Sequence, residues 1–206
     1  MSKTKQIKVA CLLTVSLLVV GHGGTDPSKS MMQEGPTATM TQWNHQMLDA
    51  IRSSRTPPPM AAYMLALFHL AIYDTVNGFD PMHEPFLVDP EVPEGASLES
   101  ALNTVAYEVI LDLFRDSVNP RLFDRFYEKA TADLERDKAF EKGAEWARRV
   151  AAAYKIVCDE SRKTDEIDWV TSADPGTWRE TPPFFRPPQL PHWPHVKPLA
   201  MKSHDQ

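Results

Sequence analysis

The side chains in this 206-residue chain that could do chemistry fall into three groups. His69, Tyr73 and Asp74 stand inside the apolar run PPPMAAYMLALFHLAIYDTVNGF, from Pro57 to Phe79. On a helix, His69 and Tyr73 are four residues apart and share a face, whereas Asp74 is five from His69 and turns away. An imidazole there could act as a general base or a metal ligand. Buried polar groups ordinarily find backbone or helix-end partners, and that structural reading is the one adopted here. His192, His195 and His204 are three and nine apart on a proline-rich stretch with no carboxylate or cysteine companion, which is not the spacing of a metal site. Asp159, Glu160, Asp165, Glu166 and Asp168 are rich in oxygen but lack the alternate-residue spacing and turn glycine of a calcium loop, so they read as a solvated turn.

Other chemistry is excluded by what is missing from the sequence. There is no glycine-rich phosphate loop, no Gly-x-Ser-x-Gly elbow and no Cys-x-x-Cys. Of the two cysteines, Cys11 lies in an N-terminal apolar run and Cys158 near the end of an expected helix, where it reads as a small core residue rather than a nucleophile. No catalytic, cofactor-binding or metal residue is therefore assigned.

The elements that would position these groups are helical. In the run Pro57 to Phe79, Ala61, Met64, Leu65, Phe68, Ile72 and Val76 make one stripe, and Tyr63, Leu67, Leu70 and Tyr73 make the rest apolar too, so the helix is expected to be buried on most sides. Prolines mark its start, and Asn77-Gly78 offers a left-handed cap at its end. Its length would span a bilayer, but His69 and Asp74 would then need partners in hydrocarbon, and a central helix of a water-soluble bundle fits better. A preceding helix is expected from Thr41, with Thr41 as cap and Trp43, Met47, Leu48 and Ile51 inward. Phe79 to Gly95 carries four prolines and reads as irregular. Ser97 caps a helix to about Asp116, with Leu98, Leu102, Val105, Val109 and Leu113 as its stripe. Asn119-Pro120 starts another, with Phe123, Phe126, Tyr127, Ala130 and Leu134.

A fifth helix is expected from Asp137 to about Ser161, with Phe140, Gly143, Ala147, Val150, Ala151 and Tyr154 inward. Its small residues Gly143, Ala147 and Ala151 permit a close helix approach, and Glu145 and Arg149 are spaced to pair on its surface. Five helices and no strand predict an all-α bundle. From Trp169 to Gln206, eight prolines and three of the five tryptophans predict an extended tail laid over a surface.

Composition agrees with one globular domain: 42% hydrophobic and 24% charged residues, with a net charge of −6. There is no basic block or basic-aromatic interleaving, so nucleic acid is not an expected partner. Lys3, Lys5 and Lys8 precede the twelve-residue apolar run Val9 to Val20 and then small residues, the pattern of a secretory signal peptide. Cleavage near Gly23 removes three lysines and takes the charge from −6 to −9. The expected organisation is a signal peptide over 1–23, a flexible linker over 24–40, a helical domain over 41–168 and a proline- and tryptophan-rich tail over 169–206. The expected location is the periplasm or exterior, or the membrane if the leader stays attached.

In their order, the run PPPMAAYMLALFHLAIYDTVNGFDP, the alanine-bearing helix at Ala101 to Phe114, Gly143 with Ala147 and Arg149, and the tail DPGTWRETPPFFRPPQLPHWPHVKPLAMKS resemble the N-terminal half of bacterial vanadium-dependent haloperoxidase-like proteins, within the PAP2 phosphatase superfamily. The resemblance runs from about Trp43 to Ser203. Its specific pieces are His69 with Tyr73-Asp74, and Pro175-Gly176-Thr177-Trp178 through Trp193 and Lys197-Pro198. Tyr63 stands where many relatives carry arginine, and Ser161 to Asp165 departs from an Arg-Asp-Gly-like turn.

That family holds vanadate or phosphate with a Lys/Arg-Pro segment, a Pro-Ser-Gly-His segment and a later arginine and histidine, since several cations and donors must converge on a multiply charged oxyanion. This chain contains no Ser-Gly-His. In relatives those segments follow the proline-rich tail, which implies a place beyond Gln206. The resemblance therefore implies a helical scaffold portion, inactive alone, of an exported enzyme. Such an enzyme oxidises halide with peroxide at a vanadate cofactor, or hydrolyses phosphate esters. A separate catalytic half would be the partner, and apolar surface left by its absence implies self-association. The alternative is a free-standing exported helical module that docks through its tail.

Overall fold

The computed structural model describes residues 35–162, 172 and 174–203. Within them the chain is all-α: five helices and a short 3-10 turn, with no strand among the described residues. The helices are α1 (Pro36–Ser54), α2 (Pro58–Phe79), α3 (Leu98–Leu113), α4 (Arg121–Ala130) and α5 (Lys138–Arg162). The expected signal peptide and residues 24–34 of the expected linker lie outside the described residues.

The expected helices all form, and their ends differ for local reasons. α1 begins at Pro36 rather than Thr41, behind Gly35 at φ 93°. Proline in the first turn costs no hydrogen bond, and Thr41 is inside the helix, where its hydroxyl donates to the Thr37 carbonyl at 2.9 Å. The helical region thus takes in residues assigned to the linker. α1 stops where Arg55 turns left-handed at φ 54°, just before Pro57. Asn77-Gly78 does not end α2: both residues remain helical, and the helix stops at Phe79 with Asp80 extended. α3 ends at Leu113, short of Asp116, and opens with the expected Ser97 cap, whose hydroxyl accepts the Ser100 amide at 3.2 Å. Asp137 caps α5 through the Phe140 amide at 2.9 Å.

The helix enclosed by the others is α3, not α2. α3 packs against all four other helices and most extensively against α5. Of its expected stripe Leu102, Val105, Val109 and Leu113 are buried and Leu98 half-buried, and it also buries Ser100, Ala101, Asn103, Thr104 and Ala106. Small residues on every side let neighbours close around it, whereas α2 leaves Val76 and His69 exposed. One described helix, α2, is long and apolar enough to cross a membrane by length and composition. It nevertheless buries Asp74, Thr75 and Asn77 among its neighbours.

The approach of α5 to α3 depends on Gly143. A Cβ there would lie 2.2 Å from the Ser97 carbonyl oxygen and 3.2 Å from the Ala101 amide nitrogen. The same junction carries hydrogen bonds from the Ser97 amide to the Ala139 carbonyl, 2.9 Å, and from the Ser100 hydroxyl to the Phe140 carbonyl, 2.7 Å. Gly78 serves α2 in the same way, since a Cβ there would meet the Trp146 ring at 2.6 Å. This side chain is fully buried and donates from Nε1 to the Thr75 carbonyl at 3.1 Å. On the opposite side Trp43 is buried, donates to Asn103 Oδ1 at 2.8 Å and meets the edge of Phe126 at 4.7 Å.

Part of the tail is laid on the bundle. Trp193 sits edge-on to Tyr63 at 6.0 Å, Val196 is buried and Leu199 packs against the core. The stretch before it is different: Trp178, Phe184 and Phe185 are exposed.

Gly143→Ala is expected to destabilise the protein by about 3 kcal/mol, the upper range for overpacking, because the obstructing atoms are backbone and cannot swing aside. Urea unfolding followed by far-UV circular dichroism checks this; a loss below about 0.5 kcal/mol would show that α3 and α5 separate freely.

Candidate functional site

Three places in the described residues gather polar or reactive side chains. The first is Asp74, which is 1% exposed. Its Oδ1 accepts the Phe86 amide at 2.7 Å, and its Oδ2 accepts the amides of Leu87 at 2.9 Å and Val88 at 3.2 Å and the Tyr154 hydroxyl at 2.7 Å. Asp74 thereby ties α2 to α5 and to the irregular segment after α2. Asn77 extends this hold, donating from Nδ2 to the His83 carbonyl at 2.8 Å and accepting the His83 amide at 3.2 Å. Tyr73 donates to the Glu84 carbonyl at 2.7 Å. Farther along, Lys142 reaches the Glu94 carbonyl at 2.6 Å, and Arg149 pairs with the Glu91 carboxylate and carbonyl rather than with Glu145. Burial pushes the Tyr154 phenol well above its ordinary range, and its hydrogen bond to Asp74 adds to this. It is fixed as a donor, not a base.

His69 does not join Asp74. It is exposed on α2, its Nε2 lies 3.2 Å from Asn44 Oδ1, and its ring meets Phe68 edge-on at 5.3 Å. Partial desolvation lowers its pKa below the ordinary imidazole value. Asp74 and Tyr73 find the backbone partners that the structural reading expects, whereas His69 is exposed and meets a side-chain oxygen instead.

The second place is an ion-pair network between the ends of α3 and α5. Asp112 meets Arg115 at 3.2 Å, Lys155 at 3.4 Å and Arg162 at 3.4 Å; Asp159 meets Lys155 at 2.6 Å, Arg115 at 2.9 Å and Arg162 at 3.5 Å. Arg162 also donates to the Asp112 and Leu113 carbonyls, closing the C-terminus of α3. The hydrogen bond from Lys155 holds the Asp159 carboxyl below its usual range, with Arg115 adding to this. Asp159 thus belongs to a paired network rather than to a free acidic turn; Asp165, Glu166 and Asp168 lie outside the described residues.

The third place is a cleft of about 430 Å³ where five segments meet. Met60, Tyr63, Met64 and Leu67 of α2 form one wall, and Leu113, Cys158 and Arg162 form the other. Ser54, Thr56, Ser117, Ser161 and His192 complete it. The Tyr63 hydroxyl lies 2.8 Å from the Ser161 hydroxyl and donates to the Lys197 carbonyl at 3.3 Å, which holds the tail beside the cleft. Burial, with Asp112 and Asp159 nearby, pushes the Cys158 thiol up to about 12, so it is a protonated floor residue rather than a nucleophile. His195 ends the short 3-10 turn Trp193–His195 and does not line the cleft, and His204 is outside the described residues. Among the described residues no group of three or more metal-ligating side chains converges.

This chain matches no protein-family model, no curated protein and no solved structure. Its site is defined by geometry alone. Sequence reading missed the Tyr154 to Asp74 bond and the whole cleft. The one local signal for the first was an aspartate inside an apolar helix; the cleft has none, because its walls come from residues as far apart as Ser54 and His192.

Two outcomes follow. Asp74→Ala leaves three amides and one phenol without their acceptor and is expected to cost about 3 kcal/mol or more, while Tyr154→Phe, which leaves the three amide bonds intact, is expected to cost about 1–2 kcal/mol. Urea unfolding measures both, and hydrogen exchange at the 86–88 amides should rise only in the Asp74 variant. In a Cys11→Ser background, Cys158 raised from 9 to about 12 contributes stability that is complete below pH 9 and is lost as pH climbs from 9 towards 12. Its reaction with a disulfide reagent at pH 8 should be at least tenfold slower than in the unfolded chain, and equal rates would contradict a buried protonated thiol.

Proposed function

We propose that this chain is the helical scaffold of an exported vanadium-dependent haloperoxidase-like or PAP2-type enzyme, with the oxyanion-binding half supplied by other polypeptide. The observation that supports this reading is that the buried acid, the thiol and the clustered cations of the described residues are already engaged. Asp74 and Tyr154 hold helices together, Cys158 is protonated, and the Arg115, Lys155 and Arg162 cations face the Asp112 and Asp159 carboxylates. Vanadate needs several cations and an imidazole converging on one point. The one guanidinium lining the cleft, that of Arg162, gives its nitrogens to Asp112, Asp159 and two carbonyls, so the described residues do not fit vanadate. What the scaffold contributes is rigidity: α2, α5 and the strapped 80–96 segment form a fixed frame against which a second half can be held.

A second reading is favoured by Trp178, Phe184 and Phe185, whose exposure suits an extended aromatic docking segment. In that reading the chain is an exported helical interaction module. Exposed apolar side chains of this kind also support self-association of the isolated chain.

The test is a dye-bromination assay with orthovanadate, bromide and peroxide. It is run on the full chain alone and with a polypeptide bearing the family's Lys/Arg-Pro, Ser-Gly-His and Arg-to-His segments. The expected result is no turnover alone and turnover on mixing. Turnover by the chain alone would overturn the scaffold reading. Silence in both tubes, with partner capture that is lost in a Trp178→Ala, Phe184→Ala, Phe185→Ala variant, would favour the module.

A further inference from the structure

We propose that the cleft between α2 and the end of α5 is a binding site for a small, uncharged, mostly apolar molecule of about two aromatic rings. Its volume of about 430 Å³ lies within the usual range of ligand sites. A dry apolar cavity of about 150 Å³ takes up benzene, so nearly three times that volume admits a two-ring ligand. Met60, Met64 and Leu67 on one wall and Leu113 on the other supply an apolar surface, and the unbranched methionines can shift to fit the occupant.

The polar groups decide the ligand's charge. Arg162 is the one guanidinium of the lining, and it is matched by Asp112 and Asp159. The Ser54 hydroxyl bonds the Ala50 carbonyl at 2.8 Å, and that of Ser161 bonds the Val157 carbonyl at 2.8 Å. An ion would lose its hydration on entry and would find Arg162 already matched by carboxylates and the Ser54 and Ser161 protons already given to carbonyls, leaving the His192 ring and hydroxyl oxygens as its polar contacts. Cys158 on the floor is protonated and adds no charge. A neutral molecule loses little on entry and removes apolar wall from water. The site is independent of the scaffold reading, since it needs no second polypeptide.

A matched pair of fluorescent probes tests this on the full chain: uncharged N-phenyl-1-naphthylamine and its sulfonate, 1-anilinonaphthalene-8-sulfonate. The neutral probe should bind saturably, one per chain, at least tenfold more tightly than the sulfonate. Ser117 is exposed at the mouth, so Ser117→Trp should block entry without touching the core and weaken binding at least tenfold. Ile156→Ser, which removes an exposed apolar side chain away from the cleft, should leave binding unchanged. If Ser117→Trp perturbs the circular dichroism spectrum, Thr56→Trp at the same mouth replaces it. Equal affinity for the two probes, more than one neutral probe per chain, or full binding in the blocked variants would overturn the proposal.

Discussion

The structure depends on one buried carboxylate. Taking a carboxylate out of water costs several kcal/mol, and Asp74 offsets that only because four donors converge on it. Three of those donors are consecutive backbone amides, so the segment after α2 must follow one path for the charge to be tolerated. The fourth comes from Tyr154 on α5, so that helix cannot slide along α2 without uncovering the charge. Apolar packing would allow many registers of α2 against α5; the carboxylate selects one.

The other contacts lock the same arrangement from different sides. Gly143 sets how closely α5 approaches α3, and Gly78 sets how deeply Trp146 enters between α2 and α5. Both buried tryptophans carry an N–H that must be bonded, and each finds an acceptor fixed by another helix, Asn103 for Trp43 and the Thr75 carbonyl for Trp146. The polar groups inside the bundle are therefore structural specifiers. Among the described residues no buried side-chain polar atom lacks a partner.

The cleft exists because α1, α2, α3 and α5 end or begin at one corner without a side chain to fill it. Pro57 forces the chain to turn there, α3 stops at Leu113, and the tail passes over the edge through Trp193 and Lys197. Small hydroxyl residues at those ends satisfy their own helices and leave an apolar floor. The same ends are joined by the Asp112 and Asp159 network, which neutralises the cations next to the opening.

The sequence by itself determined the helical class, the number of helices among the described residues and most inward faces, because a 3.6-residue period and proline or serine start signals are local. It also marked Gly143, Ala147 and Ala151 as a close-approach edge. It placed the enclosed helix wrongly, since hydrophobicity ranked α2 highest while burial followed the small side chains of α3. The cap expected at Asn77-Gly78 did not form: Gly78 stays helical and leaves room for the ring of Trp146, 68 positions away in the chain. The expected Glu145 to Arg149 pair gave way to Glu91 for the same reason, a nonlocal competitor. Only the tertiary structure decided what Asp74 bonds to, which cations are matched and where a cleft opens, because each of these joins residues dozens of positions apart, and no local period carries that distance.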